Sequence, residues 1–151
     1  MFTRGIRQKI SRKISKFYLW YLRYIRKIDV GHDCNISHRA ILDRANPKGV
    51  HIGDGTRIML DVWIVAHDYS RGKKGKIWCD TRIGHHCVIG GRAIILPGVE
   101  LGDHVFVAAG SVVTKSFPSH CMIGGNPAKI IRTGIKISNQ SQIEDFGELL
   151  N

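Results

Sequence analysis

Aliphatic residues recur at a strict spacing of six along most of this 151-residue chain. The longest uninterrupted run consists of Ile83, Ile89, Ile95, Leu101, Val107 and Val113. Two shorter runs with the same spacing precede it, and they contain Val30, Ile36 and Leu42, then Ile52, Ile58 and Ile64. A period of six fits neither the 3.6-residue repeat of an amphipathic helix nor the alternation and turn spacing of a hairpin sheet.

A parallel β-helix explains this period. Three hexapeptides make one triangular coil, in which the aliphatic residue of each short strand points inward. Four residues after most of these positions comes a small or β-branched residue, as at Cys34, Thr56 and Val99, so two positions in every six are interior. The sequence therefore predicts an all-β solenoid with coils over residues 30–47, 52–69, 83–100 and 101–118.

A long interruption separates the second coil from the third. Ile64 and Ile83 are 19 positions apart where six are expected, so 13 residues must leave the coil. The excursion, residues 68–82, is rich in glycine and basic residues, which predicts an extruded, exposed loop. Loops that project from a rigid scaffold frequently carry functional groups.

The first 28 residues hold most of the net charge. They contain nine Lys or Arg residues and no acid, whereas the rest of the chain has 14 basic and 12 acidic residues. Apolar residues recur at helical spacing from Phe2 to Ile28, which predicts a basic amphipathic helix over residues 1–28 that is too polar to cross a bilayer. Its role stays open: it binds an anionic membrane surface, or its apolar stripe caps one end of the solenoid or packs between subunits. Since the charge is confined to this helix, nucleic acid is not an expected partner.

The remaining features concern the cysteines and the C-terminus. Cys34, Cys79, Cys87 and Cys121 form no CxxC pair, and no cleavable signal sequence precedes them. This pattern predicts a cytoplasmic protein, placed peripherally at the inner face of the membrane if the helix binds lipid. Residues 133–151 form a C-terminal tail in which residues 143–150 are a candidate for a short helix.

The segments 83–99, 108–115 and 124–132 carry a family resemblance. They read IGHHCVIGGRAIILPGV, AAGSVVTK and GGNPAKIIR, and they resemble the hexapeptide-repeat acyltransferase superfamily, especially its sugar and polysaccharide O-acetyltransferases such as the maltose, galactoside and colanic-acid enzymes. The resemblance implies a left-handed parallel β-helix over residues 29–132 and a homotrimer with active sites between subunits. It also implies acetyl-CoA as co-substrate and, as acceptor, a hydroxyl of a sugar, polysaccharide or lipid-linked glycan precursor.

His67 is the candidate general base. Transfer of an acetyl group from a thioester to a hydroxyl needs a group that accepts the hydroxyl proton, and imidazole exchanges protons near neutral pH. The motif IVAHD, residues 64–68, stands where the coil ends and the loop begins, and it resembles the family's catalytic histidine followed by an acidic residue. On this basis we expect direct transfer without a covalent intermediate, with Asp68 orienting His67 or stabilising its charge.

The resemblance also assigns residues to the oxyanion and to coenzyme A. It places the turn formed by Gly90 and Gly91 at the oxyanion and pantetheine groove, where a backbone N–H would be the donor. The same two glycines could equally be plain corners of the β-helix. Residues assigned to coenzyme A are Ala109, Thr114, Lys115, Lys129 and Arg132, and no metal is expected.

Other functions compatible with the fold are less well supported. A serine acetyltransferase-like enzyme is the first alternative, although those proteins carry a long acidic helical N-terminal domain; a sugar-nucleotide N-acetyltransferase is another. The γ-type carbonic anhydrases share the β-helix but bind zinc through three histidines, two of them five positions apart. Five positions beyond His85 stands Gly90, which argues against such a zinc site. A non-catalytic scaffold is the last alternative.

Overall fold

The computed structural model describes residues 13–71, 76–138 and 142–150. Twelve strands of two or three residues, four on each side, build the three parallel faces of a left-handed β-helix. Face A consists of β1 (Asp29–Val30), β4 (Val50–Ile52), β7 (Thr81–Ile83) and β10 (Glu100–Leu101). Face B consists of β2 (Asn35–Ile36), β5 (Arg57–Ile58), β8 (Val88–Ile89) and β11 (Phe106–Val107). Face C consists of β3 (Ile41–Leu42), β6 (Trp63–Ile64), β9 (Ile94–Ile95) and β12 (Val112–Val113).

The core is the stack of inward side chains from successive coils. On face B, for example, Ile36 aligns with Ile58 and Ile58 aligns with Ile89 in parallel register. These side chains are buried, and Ile64 and Ile89 are 0% exposed. The predicted period of six and its four coils are therefore confirmed. Each coil contributes an aliphatic layer about 4.8 Å from the next, which removes a continuous apolar column from water.

Three edges join the faces. Edge AB contains residues 31–34, 53–56, 84–87, 102–105 and 118–120; edge BC contains residues 37–40, 59–62, 90–93 and 108–111. Edge CA contains residues 43–49, 65–71, 76–80, 96–99 and 114–116.

The extruded loop leaves the solenoid at edge CA. At its base, the Asp68 N–H donates to the Ile77 carbonyl at 2.8 Å and the Cys79 N–H donates to the Ala66 carbonyl at 3.0 Å, so that the two stems run antiparallel. A 3-10 turn, Tyr69–Arg71, follows the first stem. Thr81 already pairs with Val50 in β7, so the loop predicted over residues 68–82 returns two residues earlier.

The C-terminal part closes one end of the solenoid with strands. On face B, β13 (Cys121–Gly125) extends the parallel sheet, and the antiparallel strands β14 (Ala128–Thr133) and β17 (Glu148–Leu149) follow it. Residues 136–137 and 143–145 form a separate ladder, β15 (Lys136–Ile137) with β16 (Ile143–Asp145). The candidate helix over residues 143–150 is thus wrong. Gly147 has φ +56°, and a Cβ there would overlap the Thr133 carbonyl, so this turn lets β17 satisfy the edge of β14.

The segment around β15 also covers the outer side of face B. Ile135 and Ile137 are buried against Val88, and Phe106 and Met122 pack beside them. Face B is therefore closed by the chain itself.

A helix closes the other end. Residues 13–20 are α-helical and continue into a π-helical turn, Tyr21–Ile25, while the first 12 residues of the predicted helix lie outside the described part. Leu22 and Ile28 are each 2% exposed and pack on the first coil. The side chain of Arg23 donates to the Val30 carbonyl at 2.8 Å and that of Arg26 to the Asp43 carbonyl at 3.0 Å. The described part of the helix therefore lies against the first coil, as the capping alternative expects. Among the described helices, none is long and apolar enough to cross a membrane.

Candidate active site

His67 lies at the first stem of the extruded loop, at edge CA. Its backbone bridges Trp78 on the second stem, and its side chain is 25% exposed. The Asn46 side chain holds Ala66, the residue before His67, because its Nδ2 donates to the Ala66 carbonyl at 2.8 Å. A second hydrogen bond ties β7 to the same stem, since the Thr81 hydroxyl donates to the Val65 carbonyl at 2.6 Å. The imidazole therefore stands on a rigid support with one side open to solvent.

The partner of the imidazole is Asp43, one coil earlier at the same edge. His67 Nδ1 lies 2.5 Å from Asp43 Oδ2, and the Asp43 side chain is 0% exposed. Oδ2 also accepts the Ala66 N–H at 2.6 Å, while Oδ1 accepts the N–H groups of Ala45 and Asn46 at 2.8 and 3.0 Å. Four donors thus converge on this carboxylate, and its position cannot shift without breaking the loop stem.

These contacts determine the ionisation of Asp43. Burial by itself raises the pKa of its carboxyl, but the hydrogen bonds from the Asn46, Ala66 and Ala45 N–H groups and from His67 outweigh burial and leave that pKa below its ordinary value. Asp43 is consequently an acceptor only, so the hydrogen between it and His67 belongs to Nδ1. In a neutral imidazole the other nitrogen, Nε2, then has no hydrogen and can accept a proton.

Asp68, the predicted partner of His67, has a different contact. Its Oδ1 accepts the N–H and the hydroxyl of Ser70 at 2.9 and 2.5 Å, an arrangement that starts the 3-10 turn. The nitrogen that an orienting carboxylate would hold, His67 Nδ1, is bound to Asp43. The geometry therefore favours Asp43 over Asp68 as the residue that orients the imidazole.

Two aromatic rings lie next to His67. The ring of Tyr69 meets the imidazole edge-on at a centroid distance of 5.1 Å, and that of Trp78 lies 6.3 Å away. Both aromatic side chains are strongly exposed, Tyr69 at 67% and Trp78 at 48%. Exposed flat rings next to a proton acceptor provide a surface on which the apolar face of a sugar ring can stack.

Gly90 and Gly91 lie on edge BC, on the far side of face C from His67. The Gly90 N–H donates to the Val107 carbonyl at 2.8 Å, and a Cβ there would come within 2.6 Å of the Ala109 nitrogen. Gly90 therefore allows adjacent coils to stack closely, and its N–H is already hydrogen-bonded in the parallel ladder. The Gly91 carbonyl accepts the Gly110 N–H at 2.9 Å. Within one chain the structure does not bring this turn to His67.

The residues assigned to coenzyme A lie on two edges and on strand β14. Ala109 is exposed on edge BC one coil above Gly91, and the turn of Gly124 and Gly125 stacks above it, so small residues line this edge over three levels. Lys129, exposed at the start of β14, follows that turn.

The other three lie elsewhere. Thr114 and Lys115 are exposed on edge CA, where the Lys115 ammonium lies 5.7 Å from the centroid of the Phe117 ring. Arg132 is on β14, and its guanidinium lies 5.9 Å from the centroid of the Phe146 ring. The cationic groups are thus spread over the upper coils.

A metal centre finds no support in the described residues. In residues 13–71, 76–138 and 142–150, no three His, Cys, Asp or Glu side chains are arranged as metal ligands. His85, which the carbonic anhydrase alternative would need, accepts the Asp54 N–H through Nδ1 at 3.0 Å. It holds a turn of edge AB.

Sequence comparison identifies relatives. Residues 80–115 match the family model described as the hexapeptide repeat of succinyl-transferase. The chain is 34% identical over 116 residues to YvoF of Bacillus subtilis, a candidate acetyltransferase; the match covers 76% of this chain and 65% of YvoF. It is 37% identical over 106 residues to serine acetyltransferase 4 of Arabidopsis thaliana, with 69% of this chain and 29% of that protein covered. The chain thus spans less than two thirds of the length of these relatives.

Solved structures show the same fold. The polysialic-acid-specific acetyltransferase NeuO superposes with a TM-score of 0.60 at 29% identity, over 70% of this chain and 51% of NeuO. The hexapeptide-repeat acetyltransferase VCA0836 of Vibrio cholerae, solved with acetyl coenzyme A, gives a TM-score of 0.59 at 30% identity, over 70% of this chain and 60% of that one. Together with the three parallel faces and the hexapeptide match, these likenesses show that the chain has the fold and the repeats of the hexapeptide-repeat acyltransferase superfamily.

Proposed function

We propose that this protein is an acetyl-CoA-dependent O-acetyltransferase that acts on a hydroxyl group of a glycan, with His67 as general base. The observation that carries the proposal is the contact between His67 Nδ1 and the buried carboxylate of Asp43 at 2.5 Å. This contact fixes the tautomer of His67 that leaves Nε2 as a proton acceptor. The imidazole also lies beside exposed aromatic rings, on a scaffold shared with acetyltransferases.

The chemistry follows from that arrangement. As the acceptor hydroxyl attacks the thioester carbonyl, its proton moves to Nε2 of His67, and the new charge on the imidazole is stabilised by the ionised Asp43. The tetrahedral adduct carries its negative charge on the former carbonyl oxygen. When it collapses, the C–S bond breaks and the proton on Nε2 goes to the departing thiolate. No covalent bond to the protein forms, because imidazole acts only on the proton.

The site is completed between subunits of a homotrimer. Face A carries charged residues and face B is covered by the C-terminal segment, whereas the outer side of face C is an apolar ladder of Ile41, Trp63, Ile94 and Val112 in register. Trp63 is 49% and Ile41 37% exposed on this uncovered face. If face C points toward a threefold axis, edge CA of one subunit meets edge BC of the next. His67 then faces the turn of Gly90 and Gly91 from its neighbour.

This arrangement gives coenzyme A a path along the coils. Small side chains on edge BC, at Gly91, Ala109 and Gly125, leave room for a narrow pantetheine chain between subunits. Lys115 on the facing edge CA, together with Lys129 and Arg132 at the upper end, supplies cations for the phosphates. Gly91 is the better oxyanion donor of the two glycines, because the Gly90 N–H already donates to Val107.

A second candidate acceptor is the hydroxyl of serine. The identity of 37% with serine acetyltransferase 4 of Arabidopsis thaliana favours it. The aromatic surroundings of His67 favour a sugar ring, since Tyr69 and Trp78 offer stacking surface and serine has no ring to stack.

An acceptor panel tests the proposal. The full chain is incubated with acetyl-CoA and, in separate reactions, with free sugars, polysaccharides, lipid-linked glycans, amino sugar nucleotides and serine, while release of the coenzyme A thiol is followed. We expect acceptor-dependent thiol release with a glycan and O-linked acetate in the product. Turnover only with serine or with an amine would replace the acceptor class, and absence of acetyl-CoA binding would reject the proposal.

A further inference from the structure

The helix that caps the first coil has a second face, which the solenoid does not use. Eight residues between 13 and 27 are exposed, and we call them the outer helix face: Lys13, Ile14, Lys16, Phe17, Trp20, Tyr24, Ile25 and Lys27. Each of them is either apolar or a lysine. Phe17 is 68%, Tyr24 59% and Trp20 47% exposed.

The aromatic side chains form a continuous ridge. The ring centroids of Phe17 and Trp20 are 5.6 Å apart in a stacked arrangement, and those of Trp20 and Tyr24 are 6.0 Å apart. Capping does not explain this ridge, because the residues that bury against the first coil, such as Leu22 and Ile28, lie on the opposite side. An exposed apolar ridge of this kind usually marks an interaction surface.

The charges on the helix divide in the same way. The two arginines Arg23 and Arg26 donate to coil carbonyls at Val30 and Asp43, so they belong to the cap. The three lysines are exposed on the same outer helix face as the aromatic ridge, and four further basic residues, with no acid, stand in residues 1–12. Two copies of such a helix would repel one another if they met face to face, which makes a second chain a poor occupant. An anionic surface with an apolar interior matches both the ridge and the lysines.

We propose that the outer helix face docks the protein on an anionic lipid membrane. Trp and Tyr rings are favoured at the level of the lipid headgroups, and lysines reach the phosphates beside them. The position also has a consequence for the site, which rests on the proposed function. Arg26 of the helix binds the carbonyl of Asp43, so the helix lies on the coil that holds the partner of His67. A glycan carried on a lipid would therefore be presented near the catalytic edge.

Vesicle co-sedimentation of the full chain tests the proposal. We expect binding to phosphatidylcholine vesicles that contain phosphatidylglycerol, little binding to pure phosphatidylcholine, and weaker binding at higher salt. In the variant Lys13→Gln/Lys16→Gln/Lys27→Gln the partition coefficient should fall about a hundredfold, from the usual contribution of a lysine near an anionic surface. The matched control Lys48→Gln/Lys76→Gln/Lys136→Gln removes the same charge elsewhere and should bind like the wild type.

The aromatic ridge has its own variant and control. Phe17→Ser/Trp20→Ser should lower binding at least about tenfold, because it removes the inserted apolar surface, whereas Leu149→Ser/Leu150→Ser, at exposed C-terminal positions, should leave it unchanged. Brominated lipid should quench Trp fluorescence of the wild type more than that of Trp20→Phe. Because the replaced helix side chains are exposed, we expect unchanged melting temperatures, and that result confirms that the variants fold.

Three results would overturn the docking proposal. The first is a wild-type chain that ignores phosphatidylglycerol vesicles at low salt. The second is equal loss of binding in the helix variant and in the matched lysine control, which would show a non-specific charge effect. The third is a change of oligomeric mass in Phe17→Ser/Trp20→Ser, which would make the outer helix face a subunit contact. None of these depends on acetyl transfer, so the proposed function could stand while the docking fails.

Discussion

Replacement of Asp43 by Asn separates the two candidate partners of His67. The carboxylate accepts two hydrogen bonds at each oxygen: Ala45 and Asn46 donate to Oδ1, and Ala66 and His67 donate to Oδ2. An asparagine has only one oxygen. If the NH₂ group faces Ala45 and Asn46, two buried N–H groups are left without an acceptor. If it faces Ala66 and His67, only the Ala66 N–H is left without one, because the imidazole can change tautomer and accept from the amide.

The magnitude follows from that count. Each orphaned buried donor costs about 1–3 kcal/mol, so the one or two orphans of Asp43→Asn should lower the free energy of unfolding by about 1–6 kcal/mol. For a chain of this size, at about 2–4 °C per kcal/mol, that corresponds to a fall in melting temperature of about 2–24 °C. If the NH₂ group faces His67, Nδ1 must become the acceptor and Nε2 carries the hydrogen, which removes the proton acceptor. We therefore expect kcat to fall about 10²–10⁴-fold.

Asp68→Asn is the matched comparison. It makes the same chemical change one residue from His67, at a carboxylate that accepts hydrogen bonds from Ser70. The assay is thiol release from acetyl-CoA below the melting temperature of both variants, with acetyl-CoA binding measured in parallel to show that the site is folded. Activity that survives in a folded Asp43→Asn, or a larger loss of kcat in Asp68→Asn, would refute the assignment of Asp43.

Three further predictions concern binding, assembly and pH. Lys115→Ala and Arg132→Ala should raise KM for acetyl-CoA more than they lower kcat, because phosphate contacts lie far from the reacting carbon; steady-state kinetics in which only kcat falls would contradict this. Trp63→Glu should dissociate the proposed trimer, since it puts a charge in the apolar ladder of face C; an unchanged mass in sedimentation equilibrium would exclude face C as the interface. The pKa of His104 is lowered chiefly by burial and then by the stacked neighbours His120 and His86. The stability that His104 contributes is therefore fully present above its pKa in the unfolded chain, and it is lost as the pH falls through its lower pKa in the folded chain. The melting temperature of the wild type should therefore fall as the pH is lowered past about 6.5, the ordinary pKa of histidine. It should fall less in His104→Asn, which keeps the left-handed turn, and identical pH profiles of melting temperature for the two proteins would contradict this prediction.

The fold was largely predictable because a period of six encodes it directly. Each aliphatic residue at that spacing had to point inward, and Ile58 and Ile64 are buried as expected. The extruded loop was equally visible, since the interval between Ile64 and Ile83 breaks the period. The C-terminal strands were not predictable from local pattern, because the unpaired edge of β14 decides their conformation.

The site was predictable only in part. His67 was marked by its place where a coil gives way to a loop. Asp43 was missed because it is 24 positions away in the sequence, and the two residues meet only through the stacking of coils. One signal was available: β3 stacks on β6, so the residue after Leu42 falls beside the residues that follow Ile64. A carboxylate at that position, ahead of the turn at Pro47, was a candidate partner for the histidine.

The most direct test of the catalytic assignment compares wild type with His67→Ala in two measurements on the same preparations: acetyl-CoA affinity, and the rate of thiol release with a saturating acceptor. Because His67 acts on the proton and not on the coenzyme, the affinity should be unchanged while kcat falls about 10²–10⁴-fold. Full activity in a folded His67→Ala would contradict the assignment of the general base, and a wild-type chain that neither binds nor cleaves acetyl-CoA would contradict the proposed function as a whole.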